Sequence, residues 1–287
     1  MERLRACIIT AVFPRLYVKR WYAKNTGVHS WNGKKACMTL SFDCDYSKDV
    51  LSLPLILRIL KQRSLAASFA CVGKLIERYP VEHRQILEGG HEIMNHTYTH
   101  PNHEELNPGK KFNNLSIGEK KDEIEQCHRA CQTLLGYSPI GFRTPHFGNL
   151  HTDTVYGVLR ETGYAYSSSI ALARTERRDG LPFLRQGIRE FPVSACPEHP
   201  NGVFDTWHAL KRGCGRHAEK GAWEAEFRRL VNIGIETNSY LNVYFDPQDA
   251  AEEEAFPKMM EYLWEKRSEI EVATYRKMHE TVYVQGK

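Results

Sequence analysis

The chain has 287 residues, 41% hydrophobic and 26% charged, which excludes a fibrous, low-complexity or intrinsically disordered protein. Its formal net charge of +4 is unevenly placed: Arg3, Arg5, Arg15, Lys19, Arg20 and Lys24 face a single acid, Glu2, so the remainder is slightly acidic. That body has no basic stripe with interleaved aromatics, which argues against a nucleic-acid partner.

Residues 1–30 read as a basic N-terminal arm and 31–287 as one domain, because no linker rich in Pro, Gly or Ser divides the rest. The apolar run 6–13 is far shorter than the roughly twenty residues a membrane span needs. Pro14 and Arg15 interrupt it, and no small-residue cleavage pattern follows. Leu4, Ile8, Ile9, Leu16, Trp21 and Tyr22 suit either partial packing on the body or a peripheral membrane-surface contact through residues 1–24. The expected location is therefore cytoplasmic, either free or at the inner face of the membrane. Eight cysteines (7, 37, 44, 71, 127, 131, 196 and 214) form no C-x-x-C pair, and free thiols in a reducing compartment are expected.

In chain order, residues 34–42 predict a first core strand ending at Asp43. Residues 50–62 carry helical apolar spacing, with Pro54 in the first turn. A strand over 66–72 stops at Gly73, a helix over 81–87 closes at Gly89-Gly90, and 91–95 predicts a third strand. A helix over 117–135 ends at Gly136, a strand follows at 140–143, and a helix at 152–162 takes Thr152 as its N-cap. Strands at 164–168, 189–193, 241–245 and 271–274 and helices at 223–236 and 250–266 complete the pattern. Such alternation predicts an α/β fold of parallel βαβ units in one sheet or barrel, with 174–220 as long loops.

Three polar clusters fall where predicted strands end, the edge at which parallel α/β folds build active sites. Asp43 and Asp45 lie two apart after an apolar strand and enter one pocket; two anions that close need a cation between them or a shared proton. His96 and His100 are spaced to share the face of a helical turn, which Pro101 keeps short. With Asp45 they make a two-histidine, one-carboxylate set that leaves coordination positions open. Imidazole suits zinc first, with cobalt, nickel or iron as alternatives, and does not suit magnesium or calcium. Arg143 ends a strand and can pair with one of the aspartates, while Pro145 can aim the next N–H, that of His146, into the pocket.

Taken in this order, the clusters resemble the polysaccharide deacetylase family, carbohydrate esterase family four. The stretch Gly90-His91-Glu92-Ile93-Met94-Asn95-His96-Thr97-Tyr98-Thr99-His100-Pro101 is similar to the family's second motif throughout. Asp43 and Asp45 resemble its first motif, with Cys44 between them as in branches that include a deformylase of a lipid-linked amino sugar and ureide hydrolases. Arg143 and Pro145 resemble the third, with one extra residue before Gly148. The resemblance runs over about 35–273 and is thin from 174 to 240.

It implies a distorted (β/α)7 barrel, TIM-barrel-like and in a single domain, and a metal-dependent hydrolase that removes an acetyl or formyl group from an amino sugar. The substrate would be a polysaccharide, an oligosaccharide or a lipid-linked sugar. Asp45, His96 and His100 would hold the metal, Asp43 would be the general base, and Arg143 would position it. The His146 N–H would stabilise the oxyanion. The chain departs from the family's last motif: after the strand at 241–245, Asp246 stands where a histidine acid is expected. Asp246 with a raised pKa, or His208 in Asp205-Thr206-Trp207-His208, would serve instead. On the substrate side stand His208, Trp207 and Tyr244, the aromatic rings offering stacking surface or core packing. The alternatives are a small-molecule amide or ureide hydrolase with the same metal chemistry, and a non-catalytic carbohydrate-binding relative.

Overall fold

The computed structural model describes residues 12–25, 31–211, 217 and 219–284. From the N-terminus come α1 (Pro14–Tyr22), β1 (Ala36–Cys44), α2 (Ser47–Gln62), β2 (Ser68–Cys71), α3 (Gly73–Arg78), α4 (Pro80–Glu88) and β3 (Glu92–Asn95). Then follow α5 (Ile117–Leu135), β4 (Gly141–Phe142), α6 (Phe147–Leu150), α7 (Thr154–Glu161), β5 (Tyr166–Ser167), and the hairpin β6 (Phe183–Arg185) and β7 (Ile188–Glu190). The last elements are α8 (Ala222–Thr237), β8 (Tyr240–Phe245), α9 (Pro247–Glu252), α10 (Ala255–Glu265), β9 (Ile270–Val272) and α11 (Tyr275–Met278).

The strands form one sheet in the order β6-β7-β5-β4-β3-β2-β1-β8, every pairing parallel except β6 with β7. β1 is central. Its residues 37–42 pair with β8, and its other edge is shared by β9 at 36–38 and β2 at 41–44. All nine residues of β1 are buried, as expected for a parallel strand covered on both faces. Phe42 stacks on Phe69 of β2 with ring centroids 4.9 Å apart. The expected barrel is realised as a curled half-barrel. Beyond β7, one backbone bond from Ser194 N to Asn242 O (2.8 Å) and the Asn242 amide, donating to Phe191 O and Pro192 O, link the sheet back to β8.

The α5 helix has the predicted limits for legible reasons. Ser116 and Glu119 form a capping box at its start, and Gly136 closes it at φ 63°, in the left-handed region. Three local expectations are corrected. The helix expected over 250–266 is broken into α9 and α10, since Glu253 is extended and Pro257, lacking an N–H, needs a helix's first turn. The segment before β3 holds two helices where one was expected. Thr152 does not cap α7; Asp153 holds that place without a side-chain bond.

Much of the supposed arm is part of the body. Val18, Trp21 and Tyr22 of α1 are buried, and the Tyr22 hydroxyl donates to Ser194 Oγ at 2.8 Å. Arg15 and Lys19, read as arm charges, reach Glu226 and Glu236 on α8. Residues 1–11, with Leu4, Ile8 and Ile9, lie outside the described residues. No helix among the described residues is long and apolar enough to cross a membrane.

Candidate metal centre and active site

The carboxyl ends of β1, β3, β4 and β8 converge. Asp43 is the penultimate residue of β1 and is buried; Arg143, just past β4, is fully buried beside it. Arg143 Nη1 donates to Asp43 Oδ1 at 2.5 Å. The rest of the fork is also engaged: Nη2 reaches Tyr275 Oη (2.7 Å), Ser41 Oγ (3.0 Å) and Ser168 Oγ (3.1 Å), and Nε donates to Ser168 O. A planar guanidinium held at this many points has one available position. Burial pushes the Asp43 carboxyl above its ordinary range, with Arg143 pulling against it.

Asp45 Oδ1 lies 3.1 Å from His96 Nε2 and 3.3 Å from His100 Nε2. These three atoms are shielded from solvent, and none makes a hydrogen bond of acceptable angle. His96 Nδ1 is 2.8 Å from the Arg143 carbonyl, so that nitrogen carries a proton and Nε2 is the one turned to Asp45. A lone pair facing a carboxylate oxygen across 3.1 Å is repulsive, so positive charge, a proton on the imidazole or a metal ion in its place, belongs between them. The donor set therefore fits a divalent metal. Burial raises the Asp45 pKa, but the His100 and His96 imidazoles outweigh it and hold the carboxyl well below the usual range.

The two histidines do not share a helical turn, which corrects the reading from spacing. Residues 96–100 form a tight loop with Thr97 at φ 67° and His100 at φ 51°. Asn95 Oδ1 accepts from Thr97 N, Thr97 Oγ1 accepts from His100 N, and Glu123 on α5 accepts from Tyr98 N and Thr99 N. Left-handed residues cost about 1–3 kcal/mol each and persist where surrounding bonds over-determine them, as these do. His146 is also left-handed, at φ 47°, and its ring meets that of His100 edge-on at 4.8 Å. Burial, then His100, lowers its pKa to about 4, so the ring is neutral at ordinary pH.

Asp246 follows β8 and is half-buried. Thr206 Oγ1 donates to its carboxylate at 2.9 Å and accepts from its backbone N–H at 2.8 Å. Burial first, then Asp45, Asp49 and Asp43, raise its pKa well above the usual value. His208 stands apart from the imidazole cluster. Its Nδ1 contacts Asp205 Oδ2 at 2.7 Å, and the same carboxylate accepts from the Tyr244 hydroxyl at 2.8 Å. Tyr244 is not a bare stacking platform: its ring packs against Phe147 (5.4 Å) and the Arg143 guanidinium (5.3 Å). Trp207 is 47% exposed, whereas Trp223 is core.

The structure thus joins Asp43, Asp45, His96, His100, Arg143 and His146 in one cluster, with Asp246 in its field. His208, Trp207 and Tyr244 form a neighbouring group tied to it through Asp205 and Thr206. Reading the sequence missed Asp205, Glu123 and Tyr275 as supports. Asp205 had one local signal, its place three residues before His208; Tyr275 had none.

Carboxylates and imidazoles thus gather at the strand ends of an α/β half-barrel. The polysaccharide deacetylase profile matches residues 30–167, just under half of the chain. It is 32% identical over 126 residues to a peptidoglycan-N-acetylglucosamine deacetylase of Bacillus cereus, covering 44% of this chain and 42% of that protein. To a chitooligosaccharide deacetylase of a Bradyrhizobium species it is 26% identical over 165 residues, covering 58% and 63%. The chain's matches span less than two thirds of the length of these curated relatives.

Among solved structures, a polysaccharide deacetylase of Mycobacterium smegmatis, described there as putative, superposes with a TM-score of 0.72 at 19% identity, covering 90% and 94%. A family-four carbohydrate esterase pseudoenzyme of Bacillus anthracis gives 0.56 at 17%, covering 85% and 65%. These likenesses establish the fold; the second shows that the fold alone does not guarantee catalysis.

Proposed function

We propose that this chain hydrolyses the N-acyl group, acetyl or formyl, of an amino sugar within a glycan, using a divalent cation held by Asp45, His96 and His100. The observation that carries this reading is the facing of Asp45 Oδ1 and two imidazole nitrogens, shielded and without other partners. Zinc is the first choice for two imidazoles and a carboxylate, with cobalt, nickel or iron as alternatives. When bound, such a cation supplies Lewis acidity, which polarises a carbonyl and makes water acidic enough to attack near neutral pH.

The chain's own groups divide the remaining work. Asp43 takes the proton of the attacking water, and Arg143 fixes the direction of that carboxylate. The backbone N–H of His146 stabilises the developing oxyanion, a contribution typically worth about 3 kcal/mol. Asp246, whose burial among other carboxylates favours its protonated form, returns a proton to the leaving amine. Trp207 presents an exposed ring on which a sugar face can stack, beside the Asp205–His208 pair. The curated relatives named for peptidoglycan and chitooligosaccharides support an amino-sugar glycan as substrate.

The test is an acetate- and formate-release screen of the zinc-loaded chain over N-acetylglucosamine oligomers, peptidoglycan fragments and lipid-linked amino sugars, with ureides as the competing class. Release that is lost in Asp45→Asn together with its metal supports the reading. Full metal occupancy with no release from any amino sugar overturns it.

A further inference from the structure

A second ligand cluster lies on the long segment before α8. We propose that Cys196, His199 and His217 form a second metal site, selective for zinc or another thiolate-seeking divalent cation, with a structural role.

The geometry is that of ligands around one ion. Cys196 Sγ lies 3.5 Å from His217 Nε2 and 3.9 Å from His199 Nδ1, and the three ligand atoms all fall within 4.8 Å of one another. Tetrahedral zinc with bonds of about 2.3 Å to sulfur and about 2.0 Å to nitrogen puts its ligand atoms about 3.5 Å apart. Cys196 is buried, and only 3% of the His217 side chain is exposed. His217 is oriented as a metal-binding imidazole is: its Nδ1 lies 3.2 Å from Glu198 Oε2, so the proton sits there and Nε2 offers its lone pair toward the sulfur. Glu198 is itself held by Arg15 of α1 at 3.4 Å.

The local backbone brings the ligands together. Gly202 N donates to His199 O (2.8 Å) and Cys196 N to Gly202 O (3.1 Å), which folds the first two residues into one turn; His217 N donates to Ala209 O (2.9 Å). The sequence carries the spacing twice, as Cys196-Pro197-Glu198-His199 and Cys214-Gly215-Arg216-His217, with Cys214 outside the described residues. A thiolate with two imidazoles is a soft set that suits zinc and not calcium or magnesium. An ion here closes the segment from 196 to 217, which carries Asp205, Thr206 and His208, and so steadies the wall from which Thr206 reaches Asp246.

The site makes no use of Asp45, His96 or His100, and its test is independent of the proposed reaction. The purified full chain is expected to bind two zinc ions, with Cys196→Ser and Asp45→Asn each retaining one. Cobalt substitution separates the sites, because only a thiolate ligand gives an intense sulfur-to-metal charge-transfer band in the near ultraviolet. The band is expected in the wild type and in Asp45→Asn, and absent in Cys196→Ser. A cobalt-saturated wild type without the band overturns the proposal even if the cysteine variant does not fold. A single bound metal, lost in Asp45→Asn and kept in Cys196→Ser, overturns it too. A single metal with the opposite pattern supports this site and refutes the Asp45 centre.

Discussion

Replacing Arg143 by methionine tests the electrostatic frame of the site. The methionine keeps a linear side chain and removes the counter-charge of Asp43, whose side chain is only 6% exposed and whose Oδ1 lies 2.5 Å from the guanidinium. Breaking one partner of a buried pair costs about 3–5 kcal/mol, because the other charge is left without compensation. The hydroxyls that Arg143 also serves retain one another: Tyr275 Oη is within 3.1 Å of Ser168 Oγ and 2.6 Å of Asn242 Oδ1. The cost therefore falls on Asp43, and about 4 kcal/mol is expected at pH 8.

The sign of the pH dependence follows. Burial already raises the Asp43 pKa, and loss of Arg143 raises it further. A carboxyl with a raised folded-state pKa weakens stability as pH climbs from its unfolded value, about 3.9, toward the folded one. The deficit of Arg143→Met against wild type should thus shrink as pH falls and the carboxyl becomes neutral. The assay is urea unfolding of the zinc-saturated chain at pH 5 and 8, for Arg143→Met, Asp43→Asn and the double variant. The double variant, neutral on both sides, should recover about 2 kcal/mol relative to the sum of the single effects. Strict additivity, or a deficit that does not change with pH, would refute the assignment of the cost to an unpaired Asp43.

Asp246→Asn should lower turnover by about two to four orders of magnitude, the usual weight of a general acid, with metal content unchanged; undiminished turnover removes Asp246 from the mechanism. Glu190 is fully buried, accepts from Ser169 N, Ile170 N and the Tyr156 hydroxyl, and is pushed up by burial to a pKa of about 7. Its stabilising neutral form is lost as pH rises from about 4.5 to 7, so Glu190→Gln should gain on wild type by up to about 3 kcal/mol between pH 4.5 and 8 in denaturant titrations; a pH-independent difference contradicts this. In Gly141→Ala the new Cβ meets the Tyr166 ring, whose hydroxyl is tied to Glu92 and cannot swing clear freely. Overpacking of this kind costs about 1–3 kcal/mol, so thermal melts of that variant should shift down by several degrees, and an unchanged melting temperature would show that the ring yields.

Much of the fold was legible because its signals are local. Helix α5 has its capping box, its apolar stripe and its terminal glycine within one stretch of chain, and the predicted limits held. The strand ends, and with them the three polar clusters, follow from apolar runs that stop at charged residues. Where local signals are ambiguous the sequence misleads: Pro257 marks a helix's first turn, yet the helical spacing over 250–266 runs through it. Tryptophans and tyrosines carry no local mark of exposure, so Trp207 and Tyr244 are ranked only by their surroundings.

By itself the sequence determined the alternation of strand and helix and the residue types able to ligate a metal, since both depend on spacing along a few residues. Tertiary structure alone decided that Tyr275 closes the guanidinium's shell from 132 residues away and that α1 packs into the body. It also decided that Cys196 faces His217. Such pairings arise from how the sheet curls and where long loops return, and short-range propensity carries no information about either.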